Sequence, residues 1–130
     1  MDCGSFSLMT DRKKTGNAGE ALAREFLGRL GYTIERANYR YRRTEIDLIA
    51  WDGDCLVFVE VKTRRSAHFG DPSTFFTYDQ QRRISSAASA YMEAIGHEWE
   101  IRFDLVAILY RSDNDYRLDH YQDVFFPGLH

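Results

Sequence analysis

The chain has 130 residues, of which 44% are apolar, 15% aromatic and 28% charged. That composition suits one globular domain with a sizeable core, and it excludes a disordered tail, a collagen-like repeat and a disulfide scaffold. Formal net charge is −3, and uncharged apolar stretches such as Cys55 to Val59 are far too short for a bilayer span of roughly 20 residues.

Residues 1–14 read as a flexible leader before a single domain over 15–130. Met1 to Thr10 has no basic segment followed by a long apolar run, so no secretory signal is expected. Cys3 and Cys55 are expected as free thiols in a reducing cytoplasm. The four histidines, His68, His97, His120 and His130, are scattered without zinc-site spacing. A first helix is predicted from Asn17, with Glu20 at the capping-box position. Its apolar stripe is Ala23, Phe26, Leu27 and Leu30, and Gly31 ends it. Tyr32 to Ala37 reads as a short strand and 38–43 as a loop or irregular edge.

Glu45 to Trp51 and Cys55 to Lys62 are β-rich runs around a Gly-Asp turn, the pattern of a hairpin. His68 to Pro72 reads as a loop. A second helix is predicted from Thr77, with Gln80 completing its capping box, through Ile84, Ala88, Tyr91 and Ile95 to Gly96. A long strand follows from Trp99 to Tyr110, and Tyr116 to Tyr121 is its candidate partner. The order αβββαβ(β) describes an α/β protein, a mixed central sheet flanked by helices.

The hairpin carries the chemistry. With a two-residue turn at Gly53–Asp54, Asp47 faces Glu60 and Glu45 faces Lys62. All four then share one face at one end, because side chains alternate along a strand. The other face (Ile46, Leu48, Ala50, Val57, Val59, Val61) is wholly apolar. A three-residue turn would scramble both faces, so the two-residue register is preferred. Like charges directly opposite are destabilising, so Asp47 and Glu60 call for a cation between them. Lys62 serves one; a divalent ion serves both. The bland reading is a solvated sheet edge, which the neighbouring Ile49 and Phe58 disfavour by implying that this face is covered.

Basic residues cluster despite the net charge. Residues 1–65 hold 12 Lys/Arg against 10 Asp/Glu; residues 66–130 hold 5 against 10. Arg40, Arg42 and Arg43 interleave with Tyr39 and Tyr41, and Arg64, Arg65, Arg82 and Arg83 follow. Such a rim can hold phosphates on an acidic protein, or it can be an ordinary solvated strand edge.

Asp47, twelve residues, then Glu60, Val61 and Lys62 resembles the D…(D/E)-x-K core of restriction-endonuclease-like nucleases. More closely, Gly19-Glu20, Gly31-Tyr32, Asn38 to Arg40, Glu45 to Ala50, Phe58 to Lys62, Phe69-Gly70, Gln81 and Arg102 to Asp104 resemble the YraN-like family of small bacterial proteins, related to archaeal Holliday junction resolvases. Thr44 and Gln80 depart from the family pattern, where Gly and Lys are usual.

The resemblance implies a restriction-endonuclease-like fold and a metal-dependent endonuclease acting on DNA, branched DNA included, with a homodimer as one arrangement. It implies Asp47 and Glu60 as ligands of Mg²⁺ or Mn²⁺, the Val61 carbonyl as a third and Glu20 as a fourth, with Lys62 and Gln81 in the catalytic set. Arg40, Arg42, Arg43, Arg64, Arg65, Arg82 and Tyr39 would grip the nucleic acid. For Glu20 and Gln81 a plain helix-start role competes, and Asp104 reads as a structural partner of a basic residue. Two other functions stay open: a non-cleaving nucleic-acid binder of the same fold, and a protein-interaction domain using the acidic segment 98–123.

Overall fold

The computed structural model describes residues 8–65 and 75–124. Cys3, His68, His130, the loop expected at His68 to Pro72 and the start of the leader lie outside the described residues. The element order is α1 (Leu8–Arg29), β1 (Thr33–Tyr41), β2 (Thr44–Asp52), β3 (Cys55–Arg64), α2 (Tyr78–Ile95), β4 (Ile101–Ser112) and β5 (Asp115–Tyr121).

The strands form one mixed sheet in the order β1-β2-β3-β4-β5. Only β3 and β4 run parallel, as α2 must carry the chain back across a sheet face between them. α1 packs on β1, β3 and β4, and α2 on β1 and β2. Each sheet face has its own core: Ala23, Leu27, Leu48, Val57 and Val106 under α1, and Ile49, Phe58, Ala88, Tyr91 and Phe103 under α2. β3 is central and covered on both faces. Its near-continuous apolar run is the signature of such a strand. The fold is thus mixed α/β with a five-stranded sheet between two helices, compatible with a restriction-endonuclease-like core.

Local signals place most boundaries. Thr77 caps α2, its Oγ1 accepting from the Gln80 backbone N–H at 3.1 Å while Gln80 Oε1 accepts from the Thr77 N–H at 2.9 Å. Gly96, in the left-handed region at φ 73°, ends it. At the end of α1, Tyr32 N–H bonds the Leu27 carbonyl and Gly31 N–H that of Gly28. This is a Schellman stop, with Gly31 at φ 95°.

Three expectations are corrected. α1 begins at Leu8, so Lys14 and the residues just before it are helical and Asn17 and Glu20 lie inside the helix. No capping box forms there, because Leu, Met, Arg and Lys upstream continue the helix without needing a start at Asn17. β1 runs on to Tyr41, since Tyr39, Arg40 and Tyr41 gain ladder partners in Ile46, Glu45 and Thr44. Ile95, at the end of the expected α2 stripe, is 41% exposed, beyond the sheet's reach.

Asp104 on β4 is fully buried and fully answered. Its carboxylate accepts from Arg102 at 2.8 and 2.9 Å, from the Asp123 backbone N–H at 3.1 Å and contacts His120 Nε2 at 2.8 Å. Arg102 also reaches Asp52 at 3.0 Å and the Tyr32 hydroxyl. Burial alone would push the Asp104 carboxyl up, yet the bonds from His120, Arg102 and Asp123 hold it below its ordinary value. The expected structural role of Asp104 matches this network.

A methyl group at Gly19 would come within 1.9 Å of Thr63 Oγ1 and 2.9 Å of its Cβ, whereas Gly16 has nothing near. Gly19→Ala should therefore lose about 1–3 kcal/mol by overpacking, while Gly16→Ala on the same helix should gain up to about 1 kcal/mol, both read from urea unfolding. Asp104→Asn should be clearly destabilising in the same measurement, by about 1–3 kcal/mol, because a neutral amide replaces the buried acceptor shared by Arg102, His120 and the Asp123 N–H, while Asp52 still holds Arg102.

Candidate functional site

The β2–β3 ladder pairs Asp52 with Cys55, Trp51 with Leu56, Ala50 with Val57, Ile49 with Phe58 and Leu48 with Val59. This is the two-residue register read from the sequence, with Gly53 at φ 62° in the turn. The ladder then stops. Beyond Leu48, β2 pairs only with β1; beyond Val59, β3 pairs only with β4. The two strands fork at the acids.

Asp47 stands in the fork. Its Oδ2 accepts the Val61 backbone N–H at 2.7 Å, so a side chain takes the place of a strand partner. The expected face pattern breaks here. Ile46 belongs to the core under α2 and Leu48 to the core under α1, although residues two apart on a regular strand share a face. Across from Asp47, Asn38 has a left-handed φ of 53° and no ladder partner in β2. Asp47–Glu60 and Glu45–Lys62 are consequently not ladder pairs, as the hairpin alone would make them.

The acids nevertheless converge. The Asp47 and Glu60 carboxyls are in hydrogen-bonding contact and titrate as a pair. Burial raises both, Asp47 to about 6 and Glu60 to about 8. The Val61 N–H works against the shift at Asp47, while the nearby charges of Glu20 and Glu45 add to it. At Glu60 the Asp47 charge raises the value further and Lys62 opposes. Neither acid forms an ion pair with a described cation. A small apolar cavity lined by Ile46, Phe58, Phe76, Ile84 and Phe103 adjoins Glu60, which keeps its environment poor in water.

The other expected site residues surround the fork at varied distance. Glu20 is brought toward Asp47 by the close approach of α1 to Thr63 at Gly19, and its carboxylate accepts from Asn38 Nδ2 at 3.3 Å. Among the described residues no three His, Cys, Asp or Glu side chains lie close enough to hold one ion, so Glu20 does not join the Asp47–Glu60 pair directly. Lys62 lies with its ammonium 5.8 Å from the Phe76 ring centre. Gln81 turns its side-chain amide to the Phe76 carbonyl at 3.3 Å, which ties it to the loop under Lys62 rather than to the acids.

The basic residues fall into three groups. Arg40, Arg42 and Arg43 are exposed on the β1–β2 hairpin, with Arg42 over the Tyr41 ring. Tyr39 packs edge-on against Tyr91 at 4.9 Å, so its ring belongs to the core under α2. Arg82 and Arg83 share Asp79. Arg64 bonds the Thr63 carbonyl and Arg65 the Thr15 hydroxyl. An open groove between hairpin and helix is lined by Tyr41, Arg82, Ser85, Ser86, Ser89, Ala90 and Glu93. Two positioning residues went unassigned from sequence, Gly19 and Asn38. Their signals were present as the Gly19-Glu20 pair and as an Asn, a residue that tolerates the left-handed region, inside a strand-like run.

The profile described as uncharacterised protein family UPF0102 matches residues 19–108. The chain belongs to this family. A UPF0102 protein of Chlorobium phaeobacteroides is 43% identical over 91% of this chain and 98% of its own length. One from Symbiobacterium thermophilum is 45% identical over 87% of this chain and 97% of its own, and one from Rhodococcus jostii 42% over 85% and 94%. The YraN-like resemblance seen in the motifs therefore holds at the level of the family. Among the described residues no helix is long and apolar enough to cross a membrane.

In the unfolded chain Asp47 and Glu60 ionise near the ordinary carboxylate value of about 4, but in the fold they keep protons to about 6 and about 8. Between those limits the folded state binds more protons than the unfolded one, so stability falls as pH rises. In chelator, Glu60→Gln should therefore melt at least a few degrees above the parent at pH 8 and close to it near pH 4, as measured by circular dichroism.

Proposed function

We propose that this chain is a divalent-metal-dependent endonuclease that hydrolyses DNA phosphodiester bonds, branched DNA included. The observation that carries the reading is the forked pair itself. Two half-buried carboxyls meet with no ion-paired cation among the described residues, an arrangement that disfavours its own ionisation until a positive charge arrives.

The donor set fits Mg²⁺ or Mn²⁺. It is all oxygen, carries up to two negative charges and lies at the mouth of a fork where waters can complete a shell. Asp47 and Glu60 would hold the ion, with the Val61 carbonyl as a further donor and Glu20 acting through water. When bound, the ion supplies Lewis-acid polarisation of the phosphoryl oxygen and a more acidic water.

The chain's own groups do the rest. Val61 N–H fixes Asp47 in one orientation, beside the Glu60 carboxyl. Asn38 holds Glu20 at the same rim. Lys62, carried on the strand that carries Glu60, places positive charge where a phosphate would sit, and Gln81 steadies Phe76 beneath it. Arg40, Arg42 and Arg43, with the groove toward Arg82 and Ser85, supply the backbone grip that makes binding salt-dependent.

A panel of linear, nicked, flap and four-way DNA tests the reading in the presence of Mg²⁺ or Mn²⁺. Cleavage should need the metal, and the metal concentration required should fall as pH rises between about 6 and 8, because the ion competes with the protons of the two acids. Asp47→Asn and Glu60→Gln should each lower it at least about a hundredfold with the fold intact. Salt-sensitive binding without products under either metal would instead identify a non-cleaving binder.

A further inference from the structure

At the far end of the β2–β3 hairpin, about 17 Å along the strand from Asp47, the chain builds a second feature that the fork does not use. Trp51, His97 and Trp99 stand in a row. The Trp51 and His97 rings meet edge-on at 5.1 Å, and those of His97 and Trp99 at 5.7 Å. Together with Asp54 and Glu100 they line an open cup. His97 Nε2 contacts the Glu100 carbonyl at 2.9 Å, closing the loop that presents Trp99.

Trp99 is 72% exposed. One exposed apolar side chain is ordinary, but here its exposed ring adjoins two more rings and two carboxylates. Asp54, Glu98 and Glu100 are exposed and have no ion pair among the described residues. The nearest described cation by connectivity, Arg102, is engaged by Asp52 and Asp104.

Aromatic faces beside unpaired carboxylates select for a cation, and a planar one best. A guanidinium can stack on an indole while its N–H groups bond carboxylates on either side. An ammonium would satisfy the acids without the stacking. A nucleic-acid base could stack on Trp99, but its phosphates would meet Asp54, Glu98 and Glu100.

We infer that the Trp51–His97–Trp99 cup, with Asp54 and Glu100, binds an arginine side chain presented by a segment of a protein partner. The inference is independent of the nuclease reading. It assigns the acidic end of the molecule to protein recognition and leaves the basic hairpin to other ligands.

Trp51 and Trp99 are the only two tryptophans in the chain, so intrinsic fluorescence reads this cup alone. The probe is a capped peptide of alternating arginine and glycine, with a citrulline version of the same shape and no charge, and single-stranded oligothymidine for comparison. The arginine peptide should give a saturable change, at least about tenfold tighter than the citrulline peptide. The double variant D54N/E100Q should weaken it about tenfold, and W99A should do so as well, with Trp51 still reporting. All three substituted side chains are exposed, so far-ultraviolet circular dichroism should be unchanged. Equal response to citrulline, unaltered affinity in the variants, no saturable response to arginine, or saturation by oligothymidine alone overturns the inference.

Discussion

One hydrogen bond organises the candidate site: the Val61 backbone N–H donating to the Asp47 carboxylate. In a regular hairpin that donor would go to a strand or to solvent. Here a side chain takes it, and the β2–β3 ladder ends at Leu48 and Val59 while each strand stays paired on its outer edge, β2 with β1 and β3 with β4. The fork is what turns two acids from paired strands into a convergent pair open at one edge. It also accounts for the crossing of Ile46 to the α2 face, since the backbone near Asp47 must depart from strict alternation.

The molecule contains two acid clusters with opposite electrostatics, and the contrast separates structure from chemistry. Asp104 is the more deeply buried by exposure, yet its carboxyl is held below its ordinary value because Arg102, His120 and a backbone N–H all serve it. Asp47 and Glu60 retain some exposure and are raised, because one backbone N–H and a lysine across space cannot offset burial and mutual repulsion. Burial alone does not distinguish the two clusters. The supply of donors does. A strained, under-served carboxyl pair at an open edge is the arrangement expected of a site that waits for a ligand.

Much of this was legible in the residues. The hairpin register followed from the requirement that apolar residues share faces, which a one-residue slip would destroy. The second helix was marked at both ends by Thr77 with Gln80 and by Gly96. What escaped was whatever depended on a third element. No pattern within β2 and β3 reveals that the Asp47 side chain will take the Val61 N–H in place of a strand partner, so the ladder's end at Leu48 was invisible. The extension of β1 past Ala37 likewise depends on β2 offering partners, and Tyr39 looked like a rim residue until α2 placed Tyr91 against it. Asn17 and Glu20 formed a valid cap pattern inside a helix that had already started, so a local signal was present but idle.

A net charge of −3 looks at first like an argument against a nucleic-acid partner, but the fold sorts the charges by location. The exposed arginines of the β1–β2 hairpin lie toward the forked end, where Glu45 and Thr44 pair back onto Arg40 and Tyr41. Asp52, Asp54, Glu98 and Glu100 gather at the opposite end, around the β2–β3 turn and the α2–β4 loop. At physiological ionic strength, charges farther apart than about 8 Å are largely screened from one another across solvent. A phosphate near Arg42 therefore feels the local cations much more than the distant acids, and the overall sum carries little information about either end. Whether such a chain binds polyanions is decided by the spatial grouping of its arginines, which antiparallel pairing of β1 with β2 fixes.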